Sequence, residues 1–342
     1  MSVRIAINGF GRIGRSILRA ARERADTADF EIIAINEPSD PESIALLTRY
    51  DSQHGRLNGH VWVDKKTLCI DQQRIQLLGG QPIASLPWGA LKIDLVLECS
   101  GQRGTRETAE AHLRAGAKRV VFSQPASADV DITLIPGFND HERQIDHQII
   151  SAGSCTTHCI IPVLDTLQKT LGLKRGTATT IHAAMNDQPV TDTLAGADPR
   201  RHRSAMNAVI PVDTALAKGI SRLMPELAGH MECLHLRIPT TTVSAMDLTL
   251  ESRQATTSKT VLDALSAASE NQYAGIMAGC ADPVSSIDFA HDPHSTVIDQ
   301  TQLRVVDEHL IKVLCWFDNE WGFANRMVDI ALAMSTDAQS QG

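Results

Sequence analysis

Residues 3–14 read VRIAINGFGRIG, and the order of residue types in that stretch decides the fold. A short β-branched run, VRIAI, stops at a glycine. Gly9, Gly11 and Gly14 then follow in G-x-G-x-x-G spacing, and a helical pattern opens over Arg12–Arg24. Each glycine in such a turn has its own mechanical role. One makes the tight bend, one lets the backbone approach a pyrophosphate, and one allows close packing of helix on strand. The helix N-terminus adds free N–H groups and a positive dipole end for the anion.

Working outward, the next strand-like run, FEIIAI, leads to Glu37. A carboxylate at the end of the second strand accepts hydrogen bonds from a ribose diol and repels a 2′-phosphate, which selects NAD over NADP. The alternation continues with DLVLECS, a helical Arg106–Ala115 and RVVFS. Strand–helix alternation of this kind predicts an α/β fold, a Rossmann-type doubly wound parallel sheet with helices on both faces. After Cys155 the pattern changes. A helix to about Leu171 is followed by GTATTIHA, by the long run LRIPTTTVSAMDLTLES and by HLIKVLCWF. Longer strands with fewer helices predict a catalytic α+β domain with a mostly antiparallel sheet. The expected domains are residues 1–154, an NAD-binding domain completed by the C-terminal helix 320–342, and residues 155–319, the catalytic domain.

The net charge of −8 argues against a nucleic acid or an anionic membrane as partner. One basic cluster, PRRHR over Pro199–Arg203, is suited to a small anion. No apolar run approaches the roughly 20 residues of a membrane span. The N-terminus begins a strand at once, without a signal-peptide pattern. The seven cysteines are odd in number and scattered, as expected of free thiols in a reducing cytoplasm.

The second informative stretch is SAGSCTTHCIIPVL, Ser151–Leu164. Cys155 stands among hydroxyl residues at the expected start of a helix, where the dipole favours a thiolate. A cysteine nucleophile needs a base, and TTIHA offers His182 at a strand end. A metal reading would join Cys155, His158 and Cys159, but too few ligands follow for a closed site, so no metal is expected. His291 and His294 in HDPHS form another fragment that reads better as a polar turn. Burial as an inert thiol leaves the hydroxyl-rich neighbourhood unexplained.

INGFGRIGR, SCTTHC, TTIHA, IPVDT, LRIPT and WFDNEWG occur in order along nearly the whole chain, which thereby resembles the phosphorylating glyceraldehyde-3-phosphate dehydrogenase family. HAAMNDQPV, FAHDPHS and WFDNEWGFANRM look like its erythrose-4-phosphate dehydrogenase branch. Met185 stands where the glycolytic enzymes carry a phosphate-holding threonine, and Phe323 where they carry a tyrosine. The resemblance implies that Cys155 attacks an aldehyde and that His182 serves as its base. It implies that Arg237 holds the phosphate of a small phosphorylated aldose, and that Ser154, Thr156, Thr214 and Arg201 form a second anion pocket. Arg12, Ile13, Ser100 and Ser123 would line the NAD channel, with Asn319 on the nicotinamide amide. A cytoplasmic homotetramer, in which the segment from Met185 to Ala208 packs across subunits, and a role in pyridoxine biosynthesis are further implications.

The chain departs from the family pattern at Ala152, Gly153 and His158, and GIMAGCADP lacks a usual Tyr-Thr-Glu signature. A protonated His158 would stabilise a Cys155 thiolate. Three readings stand at this point: oxidation of erythrose 4-phosphate with hydrolysis of a thioester, oxidation of glyceraldehyde 3-phosphate with phosphate as acyl acceptor, and a catalytically impaired NAD-binding relative.

Overall fold

The computed structural model describes residues 2–102, 104–194 and 198–339, with side chains as far as residue 334. The chain divides into two compact units, residues 1–154 with 324–342, and Cys155–Phe323.

Unit 1 is built on a nine-stranded sheet. Strand β1 (Val3–Asn8) lies between β2 (Phe30–Asn36) and a later strand, Leu95–Glu98, and is parallel to both. Its residues alternate between two buried faces. Ala6 joins Ala34, Val96 and Val120 in a core with Trp88 and with Ala109 of the helix Arg106–Arg114. Ile5, Ile7, Ile35 and Leu97 point the other way by the two-residue period of a strand, and they are also buried. Burial on both faces is why these strands read as continuous apolar runs. Helix α1 (Arg12–Glu23) follows β1 directly, with Ile17, Leu18 and Ala20 fully buried.

The sequence order reverses at β1, with β2 on one side and Leu95–Glu98 on the other. In doubly wound sheets, ligands bind beyond the carboxyl ends of the strands at such a switch point. The outer edge adds a feature the sequence did not announce. Three antiparallel strands, Val61–Asp64, Thr67–Ile70 and Gln73–Leu77, extend the parallel sheet. Their tight turns place Lys65 and Asp71 at positive φ without any glycine.

Unit 2 opens with helix α2 (Cys155–Leu171), buried along most of its length. Pro162 inside it has no N–H for the His158 carbonyl one turn back. The sheet of this unit is mostly antiparallel, with β3 (Leu173–Ala183) at its heart. The run LRIPTTTVSAMDLTLES, expected as one long stretch, is two strands, β4 (Met231–Ile238) and β5 (Ser244–Ser252). Pro239 cannot donate to a ladder, and Val243 turns the chain with φ 54°. β4 and β5 flank β3, the first parallel to it and the second antiparallel. Among the described residues, no helix is long and apolar enough to cross a membrane.

Candidate active site

In unit 1 the three glycines have separable reasons. Gly9 has φ 88°, and a Cβ there would stand 2.4 Å from the Ser100 Cα. A Cβ on Gly14 would meet the Gly9 carbonyl oxygen at 2.5 Å. Gly11, which precedes the first turn of α1, has nothing within 4 Å of its Cβ direction. That open approach above unsatisfied helix N–H groups fits a pyrophosphate. Ile13 lies half-buried in the same first turn.

Polar side chains hold this turn from behind. Asn36 donates to Asn8 Oδ1 at 2.7 Å, and Asn8 donates to Glu98 Oε2 at 2.6 Å. Glu98 also accepts from His112 Nε2 at 2.9 Å and from the Ser100 N–H and hydroxyl. Trp88 donates to His112 Nδ1 at 2.9 Å, which fixes the histidine tautomer. Burial alone would raise the Glu98 pKa, but the hydrogen bonds from His112, Ser100 and Asn8 outweigh it and hold the carboxyl below its usual range. Glu37 accepts from the Phe10 N–H at 2.7 Å and from Ser39 at 3.1 Å, so it stands beside the turn. Arg12 is tied to Asp51 and Gln53, and Ser123 N–H donates to the Glu98 carbonyl at 3.0 Å. Ser154 is the last residue of the first segment of unit 1.

In unit 2, Cys155 is the first residue of α2, and its Sγ lies 3.7 Å from His182 Nε2. The Nδ1–H of His182 donates to the Ala183 carbonyl at 2.8 Å, leaving the Nε2 lone pair towards the thiol. Burial pushes the Cys155 thiol up to about 12, and Asp318 and Glu320 push the same way. The Thr156 N–H bonded to the sulfur opposes them. His182 is shifted down, by burial first and then by Arg237. Both shifts run against a thiolate–imidazolium pair and towards a thiol facing a neutral base. The helix N-terminus favours the thiolate, and desolvation acts against it.

The parallel pairing of β3 with β4 sets Thr180 opposite His235 and His182 opposite Arg237. The His235 ring stacks on His182 with centroids 5.1 Å apart. Burial, then its charged and imidazole neighbours, pushes its pKa down to about 3. Thr180 Oγ1, His235 Nε2 and Arg237 Nε are buried with no hydrogen-bond partner, the kind of unfilled demand that a polar ligand supplies. Arg237 Nη1 meets Asp187 Oδ1 at 2.5 Å, and Arg201 Nη1 meets Asp187 Oδ2 at 3.2 Å. The two arginines therefore come together on one carboxylate. Thr214 accepts from Leu216 N–H at 3.2 Å at the head of a short helix, and Thr156 is buried in the first turn of α2.

Ser244 accepts the Ala183 N–H at 3.1 Å and donates to Asn319 Oδ1 at 2.9 Å. The amide NH₂ of Asn319 is thereby turned away from Ser244. His158 is buried, edge-on to Phe323 at 5.6 Å. Cys159 Sγ lies 3.6 Å from Thr296 Oγ1. Among the described residues, no group of three or more His, Cys, Asp or Glu side chains is placed to hold a metal ion. His291 stacks on Trp321, and His294 bonds Asp292. Asp187, His235, Ser244 and Glu98 escaped the sequence reading. Only Asp187 carried a visible signal, a carboxylate placed soon after the TTIHA motif of His182.

A dinucleotide cradle on one unit is what a nicotinamide-dependent dehydrogenase needs, and the other unit holds a thiol beside a tethered imidazole. Residues 3–106 match the family model of the glyceraldehyde 3-phosphate dehydrogenase NAD binding domain. Residues 154–319 match that of the glyceraldehyde 3-phosphate dehydrogenase C-terminal domain. The chain belongs to the glyceraldehyde 3-phosphate dehydrogenase family, and NAD is the cofactor of its N-terminal domain.

Proposed function

We propose that this protein oxidises D-erythrose 4-phosphate to 4-phosphoerythronate. The observation that carries the chemistry is the Cys155–His182 pair, 3.7 Å apart, with the imidazole tautomer fixed by Ala183. Sulfur adds to the aldehyde carbon while the thiol proton passes through His182 Nε2 to the carbonyl oxygen, giving a neutral thiohemiacetal on Cys155 beside a neutral imidazole. Gly9–Gly14 and Glu37 would hold NAD, Asn319 would bind its amide, and the bound cofactor would accept the hydride. His182 takes the carbinol proton as the hydride leaves and the carbon–oxygen double bond of the thioester forms, and releases that proton to solvent. Water, deprotonated by His182, then attacks the thioester carbon; the C–S bond breaks, and sulfur leaves with a proton. Arg237, one hydrogen-bond partner short at Nε, is suited to hold the ester phosphate of the substrate.

The four-carbon substrate is favoured by Met185, an exposed side chain without a hydroxyl where the glycolytic enzymes hold phosphate with threonine. Arg201, beside Arg237, favours the other reading, oxidation of glyceraldehyde 3-phosphate with inorganic phosphate as acyl acceptor. NADH formation from each aldehyde, with and without phosphate or arsenate, separates the two. Phosphate-independent oxidation of erythrose 4-phosphate supports the proposal, and strong phosphate dependence with the three-carbon aldehyde overturns it. A homotetramer in the cytoplasm, domains divided near residue 154 and a part in pyridoxine synthesis belong to the same proposal.

A further inference from the structure

We propose that His291 is a positioning residue for the nicotinamide side of the site: its ring and its backbone N–H fix the turn that presents Asn319. The inference rests on the reading of Asn319 as the partner of the cofactor amide, and it gives the HDPHS segment a task.

The backbone at His291 is strained. Its φ is 67°, in the left-handed region that favours glycine, and a side chain is kept there at a cost in stability. The ring carried by this conformation lies on the indole of Trp321, with centroids 3.6 Å apart and planes 22° from parallel. Trp321 is buried and opens the last helix, Trp321–Gln339. The N–H of the same His291 donates to Asp318 Oδ2 at 2.8 Å. The other oxygen of Asp318, a buried residue, accepts from the N–H groups of Glu320 at 3.0 Å and Trp321 at 2.9 Å. One carboxylate therefore joins the strained residue to both residues that follow Asn319.

The segment grips the turn at both ends. Phe289 stacks on Trp316, just before the turn, with centroids 5.9 Å apart, and His291 stacks on Trp321 just after it. Gly322 permits this approach, because a Cβ there would stand 2.6 Å from the His294 carbonyl oxygen. Ser244, fully buried at the start of β5, donates to Asn319 Oδ1 at 2.9 Å. Asn319 is thus held through its own side chain by Ser244 and through its neighbours by Asp318, so its amide NH₂ keeps one direction. Hydrogen bonds to a carboxamide are directional, and a donor already oriented loses less freedom when the bond forms. Glycine would take φ 67° without strain, but it would leave Trp321 without this stacking partner and the turn held by the carboxylate alone.

The full-length protein is titrated calorimetrically with NAD and with ADP-ribose, which lacks the nicotinamide ring. In His291→Gly, NAD should bind about tenfold more weakly, while ADP-ribose affinity stays within about twofold of native. The melting temperature should stay within a few degrees, since relief of strain offsets the lost stack. His291→Phe restores a flat ring and should bring NAD affinity back to within about threefold of native. Should the glycine variant fail to fold, His291→Asn replaces it, as asparagine tolerates positive φ. Asn319→Ala sets the scale by removing the amide contact itself. Native NAD affinity in His291→Gly beside a weakened Asn319→Ala overturns the proposal and leaves the reading of Asn319 standing. Native affinity in both overturns that reading and the proposal with it. An equal loss of NAD and ADP-ribose binding in His291→Gly also overturns the proposal, since it reports a general disturbance of the protein.

Discussion

The two units solve the problem of a binding site in opposite ways. Unit 1 presents backbone. Its glycines clear space and its helix end supplies donors, while Asn36, Asn8, Glu98, His112 and Trp88 satisfy one another behind the turn. Unit 2 presents side chains and leaves polar atoms of Thr180, His235 and Arg237 unfilled. A cofactor that only needs to be held can be met by a finished scaffold. A substrate that must react is met by groups whose bonding is completed by the ligand itself.

Removing the nucleophile tests the separation most severely. Cys155→Ala should lower NADH formation by at least about 10⁴-fold, while NAD affinity, measured by calorimetry, stays within about twofold. A parallel loss of NAD binding would break the comparison. His182→Asn should cost about 10²–10⁴-fold. In the native, cofactor-free protein, iodoacetamide should alkylate Cys155 at a rate that still rises with pH above 8, because the thiol is shifted up towards about 12. A plateau already reached at pH 7 would show a preformed ion pair instead. The activity, for its part, should fall as pH drops below the ordinary imidazole value of 6.5 through the lowered pKa of His182.

On the other unit, two glycines sharpen the contrast. Gly9→Ala places a Cβ 2.4 Å from backbone at φ 88° and should destabilise unit 1 by about 2–4 kcal/mol in urea unfolding. Gly11→Ala meets nothing and should fold normally, yet bind NAD more weakly because the added methyl stands in the pyrophosphate approach. Equal stability of the two would mean that the turn yields more than its geometry indicates. The smallest effect expected is that of Glu98→Gln, about 1–3 kcal/mol for a buried charged acceptor. Because the folded Glu98 pKa is depressed, its contribution is present above the ordinary value of 4.5 and lost as pH falls through the folded value. The variant should therefore show a shallower loss of stability on acidification.

How far the sequence could be read follows the same division. Gly9, Gly11 and Gly14 were legible because a fixed spacing after a strand is local information. Cys155 and His182 were legible as a pair only through motif order, since their contact depends on how β3 and α2 are placed. His235 could not be read, because its place arises from the β3–β4 register, and Asp187 showed only its position soon after His182, not the loop that sets it between two arginines. The hairpins at the edge of the first sheet were missed because Lys65 and Asp71 turn the chain without glycine. At Cys155 the helix position is visible in sequence, whereas the desolvation of its thiol is not.

Acid-quenched single turnovers followed by peptide mass spectrometry test the central claim most directly. With NAD and erythrose 4-phosphate, the peptide containing Cys155 should carry a transient phosphoerythronyl adduct that decays without added phosphate. NADH formation with no adduct on Cys155, or an adduct that persists until phosphate is added, would contradict the account.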